Sequence, residues 1–283
     1  MGSLCFRPVK VRRRVRPFDI TTVALRALRS SGLKLQDNDI LAMSSKFVAV
    51  SQGRCVDLSR VQVSSSGQAL SKRLKMAPEL AELVLQEADY IYGGVSEFAL
   101  TFKDGVMAPN AGIDRSNIFP GWVIMYPKDP FRSADNIRKS ILEKTGKRIG
   151  ILITDSRLMP TRLGTTGVAV GVAGFEPISD ERGRRDLFGN IMRVTQRALA
   201  DDLSAAVQPL MGETDEEIPI VLARSEGLDR DAWMMTKRSI SPSEIAIGAN
   251  KCIFIRGIST AGGKRWPKKG KSVKKRSDVI AKG

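Results

Sequence analysis

With 283 residues and 42% hydrophobic side chains, the chain is long enough to bury a real core, in one large domain or two entwined lobes. It has no histidine, which removes imidazole bases, Ser-His-Asp triads and most zinc sites. Acid–base chemistry then falls to Asp, Glu, Lys or water, and any metal is a hard cation held by oxygen.

The net charge of +16 is concentrated at the two ends. Residues 1–17 carry six basic and no acidic side chains, and residues 259–283 carry nine basic and one acidic. The body between them is close to neutral, so nucleic acid is not the expected main ligand. No apolar run reaches the roughly 20 residues needed to span a bilayer, and the N-terminus lacks the apolar centre of a secretory signal. Three scattered cysteines (Cys5, Cys55, Cys252) fit a reducing cytoplasm.

The basic arm leads into a strand with alternation at Val9, Val11 and Val15. A helix is predicted over 19–31, where Val23, Ala24, Ala27 and Leu28 share a face and Gly32 ends it. A strand over 39–43 delivers Ser44, Ser45 and Lys46 at its tip, ahead of a second strand over 47–51. A lysine in that place suits a nucleotide phosphate or, equally, an exposed basic loop. Helices are predicted over 66–75 and 78–88, and short strands within 90–102. The stretch 107–117 is a loop by composition; its Asp114, Arg115, Ser116 and Asn117 suit either a site or a solvated turn. A strand over 122–126 precedes a helix opened by Asp129-Pro130, with Ala134, Ile137, Ile141 and Leu142 as its buried stripe and Gly146 as its end. With the strand that follows at Ile149, this order suggests a crossover unit.

The segment 150–174, GILITDSRLMPTRLGTTGVAVGVAG, organises the rest. A buried strand ends in Asp155-Ser156, cations follow at Arg157 and Arg162, and a small-residue run spans 164–174. A rigid carboxylate beside cations and bare backbone is what a phosphate and metal site needs. A polar loop over 176–186 precedes a long helix predicted over 190–210, with Ile191, Val194, Ala198 and Ala205 at helical spacing. Asp201 falls beside that stripe, either buried with partners or aimed into a site. The helix runs out at Pro209 and Gly212, Glu213 follows, and a strand is predicted over 220–223. An apolar strand over 252–255 completes the core, and from 259 the chain reads as a disordered basic tail, leaving 1–258 as the catalytic domain.

These stretches resemble the coenzyme F420-0:L-glutamate ligase family, which adds γ-linked glutamates to a deazaflavin coenzyme using GTP. The resemblance covers about 37–223. It is carried by 111–117 (AGIDRSN), by 153–156 (ITDS) with Pro160 and Arg162, by the 164–174 run, and by the 195–213 segment ending in Gly212-Glu213.

The resemblance implies an α+β fold of two entwined lobes with mixed sheets, assembled as a homodimer. It also implies two divalent ions (Mg²⁺ or Mn²⁺) and K⁺ around GTP. Matched by position, Asp114 and Asp155 look like ligands of one divalent ion, and Ser156 and Glu213 of the other. Ser45, Lys46, Asn117 and the turn 211–218, including Met211, Gly212, Glu213 and Thr214, look like nucleotide contacts. Asp114, Asp155 and Arg162 are the residues expected to act in catalysis. Arg115, Arg157 and Arg162 are candidate clamps for phosphate or substrate carboxylate. The implied reaction activates the acceptor's terminal carboxylate as an acyl phosphate, which the amine of L-glutamate then attacks. Phosphoryl transfer needs positioning and charge neutralisation more than a protein nucleophile, so the absence of histidine is no obstacle. Leu158 and Met159 depart from the family pattern, and RRRVRPFD offers no match to its N-terminal nucleotide contact. Two other readings are the same chemistry on a folate-type acceptor, and an idle relative that binds nucleic acid through its basic ends.

Overall fold

The computed structural model describes residues 2–227, 233–248 and 250–261. In chain order the elements are β1 (Ser3–Val9), α1 (Ile20–Ser30), β2 (Ile40–Ser44), α2 (Ser45–Ser51), β3 (Cys55–Asp57), α3 (Ser65–Leu74), α4 (Pro78–Glu87), β4 (Tyr90–Val95), β5 (Phe98–Lys103), β6 (Val106–Pro109) and β7 (Trp122–Ile124). Then follow α5 (Pro130–Thr145), β8 (Gly150–Leu158), β9 (Thr165–Ala173), β10 (Ser179–Asp180), β11 (Gln196–Arg197), α6 (Leu199–Met211), β12 (Ile220–Glu226) and α7 (Ile253–Ala261). The fold is α+β, as expected. The chain divides into a unit over Met1–Ala246 and a second over Ile247–Gly283.

The centre of the first unit is a five-stranded mixed sheet in the order β1-β12-β2-β8-β9, with β2 and β8 parallel. Alternate residues of its inner strands enter two separate cores. Leu41, Met43, Ile151, Ile153, Ile220 and Leu222 pack with α1, α2 and most of α5. Ile40, Ala42, Leu152, Val221 and Ala223 pack with Ala200, Leu203, Val207 and Met211 of α6. Burial on both faces explains why β2 and β8 read as unbroken apolar runs. A third core joins α3 and α4 to Ala99 of β5 and Val123 of β7.

Several expectations are corrected. The 47–51 strand is the helix α2: Ser44 accepts a bond from the Phe47 amide at its start, and Phe47, Val48, Ala49 and Val50 are all buried. A four-residue apolar run fits either element, and here packing decides. The 190–210 helix begins only at Leu199. Ile191 and Val194 have helical spacing but are 53% and 84% exposed, so no core anchors them. They belong to an arm, 179–197, closed by β10 and β11. The 122–146 stretch is not a crossover unit, because β7 pairs with β3 while β8 pairs with β2 and β9. The 252–255 strand is helical, shown by the Arg256 amide bond to the Cys252 carbonyl. α7 also takes in 259–261 of the expected tail, and 262–283 lies outside the described residues.

The 164–174 run is the strand β9, and its glycines admit two helices. A Cβ on Gly167 would stand 2.2 Å from the Ser204 carbonyl oxygen of α6, and one on Gly171 would stand 2.6 Å from the Pro130 oxygen of α5. The β8–β9 register shifts between Ile153 and Thr154, a bulge that bends the pair just before Asp155. Asp201 lies beside that bulge, and its Oδ1 accepts the Ala169 amide at 2.8 Å. Its place beside the apolar stripe is thus a structural one: it satisfies a backbone donor. Burial raises its pKa and the Asp202 charge adds to this, while the Ala169 amide opposes them.

Two predictions follow from this packing. Gly167→Ala should destabilise by about 3 kcal/mol, read as the urea midpoint, because the obstacle is backbone and cannot rotate away. Asp201→Asn keeps an acceptor for Ala169 and removes a charge whose folded pKa is raised, so wild-type stability falls as pH rises through that pKa. The variant should therefore be at least as stable as wild type at pH 7, with the advantage gone below about pH 4. Asp201→Ala, which orphans the amide, should cost about 1–2 kcal/mol below about pH 4 and less at pH 7, where it also removes the charge.

Candidate active site

One cavity of about 190 Å³ gathers most of the expected residues. Its wall holds Ser45 and Lys46 from the start of α2, Asp155 and Ser156 from β8, and Asn117. The end of α6 and the turn to β12 complete it, with Met211, Gly212, Glu213 and Thr214. Residues distant in sequence meet there because β2 and β8 run parallel: β2 stops at Ser44 opposite Thr154, so α2 starts beside the continuing part of β8 that carries Asp155 and Ser156.

The turn is held on three sides. Its Thr214 carbonyl accepts from Asn117 Nδ2 at 2.8 Å, the Pro219 carbonyl from the Ser44 amide at 2.9 Å, and the Glu217 carbonyl from the Val11 amide at 2.9 Å. Gly212 is needed at its start because its φ of 71° and ψ of −175° lie where a side chain is strained.

Three carboxylates have three different environments. Asp114 pairs with Lys46 Nζ at 2.8 Å, and the same ammonium donates to Ser116 Oγ at 2.7 Å. Burial pushes the Asp114 carboxyl up, but Lys46 and the Ser116 amide outweigh it, and its pKa lies below the ordinary value. Asp155 pairs with Arg157 at 2.6 Å. Glu213 has only neutral partners among the described residues: Ser156 Oγ at 3.3 Å, Thr165 Oγ1 at 2.9 Å and Gln208 Nε2 at 2.6 Å.

This donor set fits hard cations. Among the described residues no three Asp, Glu or Cys side chains gather as one metal-holding group. Of the expected ligands, Asp155, Ser156 and Glu213 line the cavity, whereas Asp114 is joined to it through Lys46 and is not itself in the lining. So open a set suits Mg²⁺ or Mn²⁺, ions that keep several positions for phosphate and water. The carboxylate of Glu213 beside Ser156, with no cation of its own, is the clearest invitation.

Not every expected residue reaches the site. Arg162 is exposed in the 159–164 loop and does not line the cavity, and Arg115 is exposed on the loop after Asp114. Arg157 is 5% exposed and lies behind Asp155, so it is no substrate clamp. Conversely, Arg12, Arg13, Arg14, Phe18 and Gln208 line the cavity and were not anticipated. Arg14 stands 5.1 Å from the Phe18 ring centroid, and none of the three arginines forms an ion pair among the described residues. Their signal was visible only as net charge; the arm's path along the turn follows from the Val11–Glu217 bond, which no local pattern announces.

The profile describing F420-0:Gamma-glutamyl ligase matches residues 10–225. The Coenzyme F420:L-glutamate ligase of Methanopyrus kandleri is 36% identical over 225 residues, 79% of this chain and 88% of the relative. The enzyme of the same description from Methanothermobacter thermautotrophicus is 36% identical across 73% of this chain and 82% of its own. That from Methanocaldococcus jannaschii is 37% identical across 67% and 76%. The matched span takes in β2, the loop bearing Asp114, the strand bearing Asp155, and the 211–219 turn: this chain belongs to the F420-0:gamma-glutamyl ligase family.

Proposed function

We propose that this protein joins L-glutamate through a γ-linked amide to the terminal carboxylate of the deazaflavin coenzyme F420-0, using GTP and releasing GDP and phosphate. The observation that carries the reading is Glu213: an ionisable group with no cationic partner, beside Ser156 on a cavity shared with Asp155, Lys46 and the 211–219 turn. In this reading Asp114 and Asp155 hold one divalent cation and Ser156 and Glu213 the other. When bound, the cations neutralise charge developing on the phosphates.

The chain's own residues have separate tasks. Ser45, Lys46, Asn117 and the turn hold the nucleotide, with Lys46 carrying positive charge to the Asp114 loop. Arg12–Arg14 add cations to the cavity lining. The acceptor carboxylate attacks the γ-phosphorus of GTP, GDP leaves, and the acyl phosphate is then attacked by the glutamate amine with loss of phosphate and a proton. K⁺ and homodimeric assembly belong to the same proposal. Leu187 and Phe188 at the tip of the 179–197 arm are 101% and 91% exposed, which supplies apolar surface for assembly. No helix among the described residues is long and apolar enough to cross a membrane.

Phosphate release from GTP should require glutamate, the deazaflavin acceptor and Mg²⁺ or Mn²⁺ together. Turnover with a folate acceptor but none with the deazaflavin would replace the acceptor. Glu213→Gln preserves shape and loses charge; it should lower kcat at least about 100-fold with an unchanged circular dichroism spectrum, and Asp155→Ala should do the same. Wild-type turnover in both would remove the cation assignment.

A further inference from the structure

Arg157 stands two residues beyond Asp155 on the same face of β8. Its Nη1 is 2.6 Å from Asp155 Oδ2, with the two side chains 6% and 11% exposed. Its guanidinium carbon lies 5.7 Å from the Tyr126 ring centroid. Arg157 Nε and Nη2 and the Tyr126 hydroxyl, all buried, have no well-formed hydrogen-bond partner among the described residues. A buried guanidinium with most of its donors idle is costly, and an apolar side chain of similar volume would serve packing better. The arrangement makes sense only if the charge acts on Asp155.

The loop leading to Asp114 rests on the same pair. Gly112, at φ 72°, brings its backbone so close that a Cβ would stand 2.6 Å from Tyr126 Cδ2 and 3.5 Å from Arg157 Nη2. Tyr126 and Gly112 thus form a socket around the guanidinium. Asp155 in turn has two unlike oxygens: Oδ2 is taken by Arg157, while among the described residues Oδ1 accepts only the Ser156 amide, at 3.0 Å.

We propose that Arg157 is a positioning residue that withholds one oxygen of Asp155 from the bound divalent cation, so that Asp155 serves that cation through a single oxygen. The inference rests on the reading that Asp155 holds such a cation. A carboxylate free to bind through both oxygens would fill an extra place in the cation's shell and neutralise more of its charge. Both effects come at the expense of phosphate oxygens. The fixed positive charge of Arg157 also weakens cation binding directly. The chain therefore gives up cation affinity and keeps a cation that still draws charge from phosphate.

The test is Mn²⁺ titrated into the purified full-length protein, with free ion read by electron paramagnetic resonance, alongside steady-state ligation. Arg157→Met, an apolar side chain for the same socket, should bind Mn²⁺ about tenfold tighter than wild type while kcat falls at least about 100-fold. Arg157→Lys restores the charge without the planar fork and should return Mn²⁺ affinity to within about threefold of wild type. Where Arg157→Met does not fold, Arg157→Gln gives the same comparison. Unchanged or weaker Mn²⁺ binding in the neutral variant, with only a lowered Tm, overturns the proposal and leaves Arg157 a packing residue. A wild-type protein that binds no Mn²⁺, with or without GTP, removes instead the cation reading beneath it.

Discussion

The site depends on a strand that is buried on both faces and ends in charge. Ile151 and Ile153 of β8 enter one core and Leu152 the other, so the strand has no freedom to shift. Its parallel neighbour β2 ends opposite Thr154, one residue before Asp155, which places Ser45 and Lys46 beside Asp155 and Ser156. The bulge opposite Thr154, stabilised by Asp201, turns the last residues toward the cavity. A carboxylate on so rigid a mount loses little entropy when it binds a cation, which is the usual advantage of building a site on strands rather than loops.

Charge is distributed to match. Asp114 has Lys46, Asp155 has Arg157, and Glu213 has only neutral donors. The first two carboxylates each have a side-chain cation; the third is left for an external one. Arg12–Arg14 supply positive charge from a different direction, along an arm held to the 211–219 turn through backbone bonds. A cavity with acidic and basic walls suits a nucleotide that carries phosphates and metal together.

Much of this was legible in the residues. The apolar run before Asp155, the Asp129-Pro130 and Gly146 boundaries of α5, and the Gly212-Glu213 turn each reflect a local rule of burial, capping or turn chemistry. What was not legible depended on tertiary context. The 47–50 run could satisfy either a strand or a helix until packing chose. Ile191 and Val194 kept helical spacing with no surface to bury it. Arg157 looked like a clamp because sequence shows that an arginine stands near a carboxylate, not whether it faces the cavity or the core. The small-residue run suggested a phosphate loop, whereas its glycines answer to close contacts with α5 and α6.

The assignment as a glutamate-adding ligase is the claim on which the rest turns. Mass spectrometry of the deazaflavin acceptor, after incubation with the protein, GTP, L-glutamate and Mn²⁺, tests it most directly. The account predicts an acceptor heavier by one or more glutamyl units, absent when GTP or Mn²⁺ is left out. An acceptor of unchanged mass under the full mixture, with the protein folded and binding GTP, would contradict it.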